Sequence, residues 1–180
     1  MEDTGKKRLM IQLKVGNCHR ITDASIVPIT RACPLIIEYD ISSVPQITNA
    51  SLYSIFLHSS HLRELKLVNN ANINDQGIPD LGELLDDDED DADTKDLPWY
   101  AKLENQRILP TAATFDHLRV VDFMGCSEIN DLAIDNLVRN APKLRHLGLA
   151  KCPLISDMAL DSIARLGKSL HHLHLGHAAR

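Results

Sequence analysis

The chain has 180 residues, of which 44% are hydrophobic and 24% charged, and its formal net charge is −6. This length is enough to bury the core of one ordinary domain. No stretch approaches the roughly 20 consecutive apolar residues that a membrane-spanning helix requires, and the charged first ten residues lack the apolar segment of a secretory signal. The four cysteines show no disulfide-scaffold spacing. We therefore predict a cytoplasmic or nuclear protein with reduced thiols.

The negative charge is concentrated in one segment of the chain. Residues 83–96 hold nine acidic side chains and one basic side chain, a net charge of −8, so the rest of the chain carries a net charge of +2. Such a segment buries too little apolar surface to offset the entropy lost on ordering. We predict a largely disordered, solvated loop. The alternative is that the loop folds over a basic stripe of the domain and competes with acidic ligands.

Five isoleucines mark an internal repeat. They are Ile21, Ile47, Ile73, Ile129 and Ile155, separated by 26, 26, 56 and 26 residues. The 56-residue step equals one period plus 30 inserted residues, which we place in an acidic insertion at 82–114. Each isoleucine precedes a cap-like pair such as Thr22-Asp23, followed by apolar residues three or four positions apart. This spacing predicts one capped helix in each unit.

The other half of each unit alternates apolar and polar residues, which is the pattern of a half-buried strand. The paired apolar residues are Leu13/Val15, Tyr39/Ile41, Leu65/Leu67, Val121/Phe123, Leu147/Leu149 and Leu173/Leu175. Units of one strand and one helix bury their apolar faces only against neighbouring units. The pattern predicts an α/β, right-handed leucine-rich-repeat solenoid with a parallel concave sheet, convex helices and about five 26-residue repeats. The repeats would occupy 10–81 and 115–180, after a disordered N-terminus at 1–9.

Two stretches of sequence carry a family resemblance. The repeat reads L-x-x-L-x-L-x-x-C-x-x-I-[ST]-D, and the C-terminal run is APKLRHLGLAKCPLISDMALDSIARLGKSLHHLHLGH. The repeat resembles the cysteine-containing leucine-rich repeats of F-box proteins, and the C-terminal run is similar to fungal F-box/leucine-rich-repeat receptors of the glucose-repression-resistance type. The resemblance implies the substrate-recognition segment of an SCF-type (Skp–cullin–F-box) ubiquitin ligase, which binds phosphorylated proteins for ubiquitin-dependent degradation. Because residues 1–9 are too few to form the F-box, we expect a segment of a longer receptor or a truncated product.

The cysteine position of the repeat is filled by several kinds of residue. They are Cys18, Val44, Asn70, Cys126, Cys152 and Ala178. Because valine and alanine also occupy it, we predict a buried packing position in which a thiol acts as a small hydrophobe. The sequence shows no group that would activate a thiol, no phosphate-binding loop and no nucleophile elbow. We therefore expect no enzymatic activity, no catalytic residue and no cofactor.

Outward-pointing residues of successive strands should line up in rows about 4.8 Å apart. The row between the paired apolar residues contains Lys14, Asp40, Lys66, Asp122, Gly148 and His174, and we predict a ladder of alternating charge along its first four members. At the strand entrances lie Arg63, Arg119 and Arg145, which repel one another unless an anion bridges them. We predict that these arginines, with Lys14 and Lys66, bind a phosphorylated substrate. The alternative is that their methylene stems cover the apolar strand tops.

The stretch SLHHLHLGH places four histidines in residues 169–177. We predict that His172 and His174 lie on the concave face of the last strand and that His146 lies on the neighbouring strand. Under one interpretation they are polar residues of the substrate-binding wall that sense pH or phosphate. Under the other they form a zinc site, since three histidines on two strands suit that metal. Because no carboxylate or cysteine joins them, we expect no metal site.

The predicted partners follow from these features and from the resemblance. A phosphorylated protein substrate would bind the concave wall, and Skp and cullin subunits would be reached only through an F-box. Nothing in the sequence predicts contact with nucleic acid or with a membrane. The alternatives to a ubiquitin-ligase receptor are a leucine-rich-repeat scaffold or inhibitor that uses the same wall, and a zinc-binding protein at the C-terminal histidines.

Overall fold

The structure is a computed structural model that describes residues 10–79 and 115–177. The N-terminus at 1–9 and the acidic insertion at 82–114, both predicted to be disordered, lie outside the described residues, as do residues 80, 81 and 178–180. The described ranges contain six strands, four α-helices and one short 3-10 turn. They form an α/β fold in which strand and helix alternate along the chain.

The six strands form one parallel sheet in which neighbours in the chain are neighbours in space. They are β1 (Gln12–Lys14), β2 (Glu38–Asp40), β3 (Glu64–Lys66), β4 (Val120–Asp122), β5 (His146–Gly148) and β6 (His172–His174). The register places the middle residue of each strand beside the middle residue of the next, and the insertion preserves it, with Leu65 beside Val121. The parallel sheet matches a solenoid-like arrangement; its right-handed sense and the number of repeats stay predictions.

An α-helix follows four of the strands in the described ranges. The helices are α1 (Asp23–Ala32), α2 (Asn49–His58), α3 (Asp131–Asn140) and α4 (Asp157–Ala164). The predicted caps Thr48, Asn130 and Ser156 each accept a hydrogen bond from a backbone N–H of the first turn, whereas the Thr22 side chain makes no such bond. Adjacent helices pack side by side, α1 on α2 and α3 on α4. None of the helices in the described ranges has the length and apolar character needed to cross a bilayer.

The third unit departs from the predicted helix. Its described part contains a three-residue 3-10 turn at Asp75–Gly77, which the Asn74 side chain caps. Ile78 leaves this turn with extended backbone, at φ −109° and ψ 108°. The cause is Pro79, because proline disfavours helical backbone at the residue before it. In the described residues, which end at residue 79, a three-residue turn therefore replaces the helix predicted for this unit.

The cysteine position of the repeat does more than fill space. Cys126 and Cys152 are fully buried, and their thiols lie 3.1 Å from the backbone carbonyl oxygens of Leu67 and Phe123 in the preceding units. Each thiol therefore donates a hydrogen bond between units, a role that the packing prediction missed. Cys18 is exposed, and it follows β1, which is the first strand of the sheet in the described residues. The prediction of a buried position is wrong for this residue.

Asn70 occupies the same position and makes three buried hydrogen bonds. Its side-chain amide donates to the carbonyl oxygens of Ile41 and Leu67, each at 2.9 Å. Its side-chain oxygen accepts from the backbone N–H of Val44 at 2.9 Å. Asn70 thus ties β2 and the turn after it to the third unit.

A second set of hydrogen bonds joins neighbouring units at the helix starts. The Asp23 carboxylate accepts from the backbone N–H of Thr48 at 2.9 Å and from its hydroxyl at 2.8 Å. Asp131 accepts in the same way from Ser156, at 2.8 and 2.5 Å. The sequence pattern indicates these acids only as parts of their own helix caps. In the structure they also fasten each helix to the start of the next unit.

In every unit, the turn that follows the strand contains a residue in the left-handed backbone region. These residues are Asn17, Ser43, Asn69, Gly125, Lys151 and His177, with φ between 54° and 74°. The repeat spacing thus imposes one turn geometry on six positions that hold five types of residue. Glycine and asparagine tolerate this geometry best, so serine, lysine and histidine are strained in it.

Replacing Lys151 by glycine should therefore raise the free energy of unfolding by about 1 kcal/mol, because glycine has no Cβ to crowd the backbone at positive φ. Lys151 is exposed, so little else is lost with its side chain. The matched substitution Asn17→Gly should give less than half of this gain. Urea unfolding followed by circular dichroism measures both values, and a destabilised Lys151→Gly variant would contradict the expectation.

Candidate functional site

The outward-pointing residues of the six strands form two rows, which together we call the strand wall. The first row contains Gln12, Glu38, Glu64, Val120, His146 and His172, and the second row contains Lys14, Asp40, Lys66, Asp122, Gly148 and His174. Members of a row are paired on neighbouring strands, which spaces them about 4.8 Å apart. The predicted wall residues therefore lie in the predicted order.

The two lysines of the strand wall are paired with first-row glutamates. Lys14 Nζ lies 2.7 Å from Glu38 Oε1 on the next strand. Lys66 forms an ion pair with Glu64 on its own strand, and this hydrogen bond raises the pKa of the Lys66 ammonium group. Both lysines predicted to bind substrate are thus engaged with carboxylates of the wall itself.

The predicted row of alternating charge is in place, because Lys14, Asp40, Lys66 and Asp122 are register partners, but the ion pairs of its lysines are with first-row glutamates. The carboxylate of Asp40 accepts a hydrogen bond from the backbone N–H of Ser42 at 3.2 Å, and that of Asp122 accepts from Met124 at 3.0 Å. The aspartate side chain is too short to reach beyond the turn that follows its strand, whereas the longer lysine side chains reach the glutamates of the first row. The wall residues of β1 to β3 therefore carry two positive and three negative charges, and Asp40 supplies the excess negative charge.

The predicted arginines lie on neighbouring rungs at the strand entrances. The N–H of Arg119 bonds to the carbonyl of Arg63 at 2.9 Å, and that of Arg145 to the carbonyl of Arg119 at 2.8 Å. The guanidinium of Arg119 also donates to the carbonyl oxygens of Asp116 and Leu118, at 2.7 and 2.8 Å. These bonds hold the middle guanidinium through Nη1, and anion binding by the three arginines stays a prediction. Arg63 and Arg145 remain exposed, about 10 Å apart across two rungs.

Histidines dominate the other half of the strand wall. His146 and His172 are partners in the first row, and their rings stack with centroids 4.5 Å apart and planes 16° apart. Together with His171, His174 and Asp122 they line an open groove of about 500 Å³ across β4 to β6. We call this feature the histidine groove. The structure therefore brings together the three histidines that the sequence indicated.

The floor of the histidine groove depends on Gly148. A Cβ at this position would lie 2.3 Å from Asp122 Oδ1, so glycine leaves the space that the carboxylate occupies. The negative charge of Asp122 consequently lies at the second-row end of the groove. His146 and His172 lie at the opposite, first-row end, which faces the strand entrances.

The zinc interpretation gains no support from this geometry. The lone pairs of an imidazole lie in its ring plane, and two nearly parallel planes 4.5 Å apart do not meet at one ion. In the ranges 10–79 and 115–177, no group of three or more histidine, cysteine, aspartate or glutamate side chains is placed to hold a metal ion.

The structure shows a second pair of histidines that the sequence analysis missed. The rings of His61 and His117 stack with centroids 5.6 Å apart and planes 6° apart, just before β3 and β4. Each histidine precedes the leucine that leads into its strand, so the repeat alignment places the two at equivalent positions of neighbouring units. Their proximity could therefore have been predicted from the sequence. In the next unit the same position is Lys143, whose Nζ lies 3.3 Å from Asp116. The strand entrances thus carry a second line of basic side chains.

The buried thiols are poor nucleophiles. Burial raises the pKa of the Cys126 thiol to about 12 and also raises the pKa of the Cys152 thiol. Both remain protonated at neutral pH and act as hydrogen-bond donors between units.

The parallel sheet, the register-aligned rows and the hydrogen-bonded cysteine position define a leucine-rich-repeat-like α/β fold. A search of solved structures finds the same class of fold: the chain is similar to a chain in the crystal structure of the Rad7 and Elc1 complex of yeast. The TM-score is 0.56 at 15% sequence identity, over 88% of this chain and 34% of that chain, so this chain spans about a third of its neighbour. This likeness is one of fold. No protein-family model matches the chain, and no curated protein matches it in sequence.

Proposed function

We propose that this chain is a protein-interaction module that binds a partner protein across the strand wall. The supporting observation is the register of the sheet, which lines up outward-pointing residues in two rows on six strands, polar at every position except Val120 and Gly148. Arg63 and Arg145 are exposed cations at the strand entrances, at one edge of this surface. Rows of outward-pointing side chains offer contacts to an extended partner. The proposed role requires no catalytic step, no cofactor and no contact with nucleic acid or a membrane.

The finer proposal is a substrate-recognition segment of an SCF-type ubiquitin ligase acting on phosphorylated proteins in the cytoplasm or nucleus. Three features support it: the repeat motif, the exposed arginines and the fold shared with a chain of the yeast Rad7 and Elc1 complex. Guanidinium groups match phosphate oxygens in charge and geometry. Contact with Skp and cullin subunits would pass through an F-box on a longer receptor.

The proposed function predicts binding that depends on phosphorylation. A degenerate library of phosphoserine and phosphothreonine peptides should be retained by the immobilised chain, and the same library without phosphate should be retained at least tenfold less, because charge-assisted hydrogen bonds contribute about 1.5–3 kcal/mol each. Mass spectrometry of the eluted peptides measures the ratio. Equal retention of both libraries would refute the phosphoprotein proposal.

The link to ubiquitin requires a separate experiment. A longer receptor that contains these repeats should capture a Skp-type adaptor from purified components, with a receptor lacking its F-box as the control. Phosphopeptide binding without adaptor capture would favour the scaffold or inhibitor alternative.

A further inference from the structure

The stacked histidines of the groove form an unusual pair for an exposed surface. His146 and His172 are both exposed, and neither ring has a carboxylate partner among the described residues. When neutral, two imidazoles 4.5 Å apart stack without penalty. When both are protonated, their positive charges repel unless an anion lies against them. The stability of the doubly charged pair therefore depends on what occupies the groove.

The charged groups around this pair are arranged unevenly. From β5, Arg145 lies at the strand entrance, and its carbonyl oxygen accepts the backbone N–H groups of His171 and His172 at 2.8 and 3.0 Å. From β6, His171 and His174 add two more imidazoles. From β4, the Asp122 carboxylate occupies the second-row end, above Gly148. An anion is thus repelled from the Asp122 end and attracted to the entrance end, where Arg145 directly precedes His146 in the chain.

We propose that the histidine groove is a proton-linked phosphate site. A phosphate group of the partner binds between Arg145 and the stacked pair, and its binding draws protons onto His146 and His172. The inference rests on the proposed function, because it assigns the phosphorylated partner a subsite and makes its affinity depend on pH. Histidine is the side chain that can gain a proton between pH 5 and 8, so each proton taken up on binding adds a positive charge opposite the anion.

The direction of the pH dependence follows from linkage. If the complex holds more protons than the free chain, affinity rises as pH falls, by about tenfold per pH unit for each proton taken up. The gain is complete once the free rings are themselves protonated. Binding should therefore be weakest near pH 8 and strongest near pH 5.5, which spans the titration range of histidine.

Sulfate is the probe of choice, because it remains a dianion throughout this range while phosphate changes its own charge. Isothermal titration calorimetry of sulfate binding should show at least tenfold tighter binding at pH 5.5 than at pH 7.5. Repeating the titration in buffers with different heats of ionisation counts the protons taken up. Sulfate binding with no proton uptake, or no sulfate binding at either pH, would overturn the inference.

Three variants separate the roles within the groove. The double variant His146→Gln/His172→Gln should keep weak sulfate binding but lose its dependence on pH. Arg145→Gln should weaken binding at every pH and keep the dependence. The control His19→Gln, an exposed histidine outside the groove, should leave both unchanged. An unaltered pH dependence in the double variant would also overturn the inference.

The outcomes also distinguish this inference from the proposed function. Phosphopeptide binding together with sulfate binding that takes up no protons would leave the proposed function intact and overturn the proton-linked site. Sulfate binding with proton uptake, together with no phosphopeptide binding at any pH, would instead refute the phosphoprotein proposal. The proposed function and the proton-linked site are both supported if phosphopeptide binding strengthens on acidification and does so only when His146 and His172 are present.

Discussion

Replacing Asn70 by alanine should lower the free energy of unfolding by about 3 kcal/mol, because a buried polar group left without its partner costs about 1–3 kcal/mol. The substitution removes the partner of the Val44 N–H and a donor to the Ile41 carbonyl oxygen. Leu67 is affected less, since its carbonyl oxygen also accepts from the Cys126 thiol at 3.1 Å. Asn70 is 1% exposed, so bulk solvent does not reach these backbone groups. Urea unfolding followed by circular dichroism measures the loss.

Two further substitutions test the cause of this effect. Asn72→Ala removes an exposed asparagine that makes one bond, to the Pro45 carbonyl oxygen at 2.9 Å, and should cost less than about 1 kcal/mol. Asn70→Cys should lie between the two, because cysteine keeps one donor, as Cys126 and Cys152 do in their own units. If Asn70→Ala costs no more than Asn72→Ala, the buried bonds do not hold the units together.

The double variant Arg63→Gln/Arg145→Gln should bind the selected phosphopeptide about 100-fold more weakly than the natural sequence. Each arginine is expected to supply a charge-assisted hydrogen bond worth about 1.5–3 kcal/mol. Both guanidinium groups are exposed and lie on rungs either side of Arg119. Their removal should not unfold the chain, because neither side chain is buried. Fluorescence anisotropy of a labelled peptide measures the change, with the circular-dichroism melt as the check on folding.

The control for this experiment keeps the net charge of the strand wall constant. Lys14→Gln/Glu38→Gln removes one existing ion pair, at 2.7 Å, and should change the affinity less than about threefold because exposed pairs contribute little. Arg20→Gln, an exposed arginine outside the strands, tests for a nonspecific effect of charge. If Lys14→Gln/Glu38→Gln weakens binding as much as the arginine double variant, the site lies on β1 and β2 instead, whereas an equal loss with Arg20→Gln would indicate a nonspecific effect of charge.

The register of the sheet was predictable because it depends on a period that every unit repeats. The isoleucine spacing and the alternating apolar pairs set which residues face the core, and a parallel stack then places like positions side by side. For this reason the insertion between β3 and β4 could be recognised as an interruption that leaves Leu65 beside Val121. The prediction of a helix in the third unit is wrong because a local effect, Pro79 after Ile78, overrides the repeat period.

The state of each functional side chain was not predictable from the same pattern. Arg63, Arg119 and Arg145 occupy equivalent positions, yet only Arg119 turns onto the carbonyl oxygens of Asp116 and Leu118. Equivalent positions share a backbone, but the neighbours within reach of each side chain differ from unit to unit. Long, flexible side chains therefore find partners that a repeat alignment does not indicate.

The amino-acid sequence by itself determined the parallel stacking, the order of the two wall rows and the presence of histidines on neighbouring strands, because these depend on periodicity along the chain. Only the tertiary structure decided that the lysines are neutralised, that the cysteine position is a hydrogen-bond donor and that His146 lies face to face with His172. Those features depend on side-chain length and direction across units, and such contacts exist only once the units are packed together.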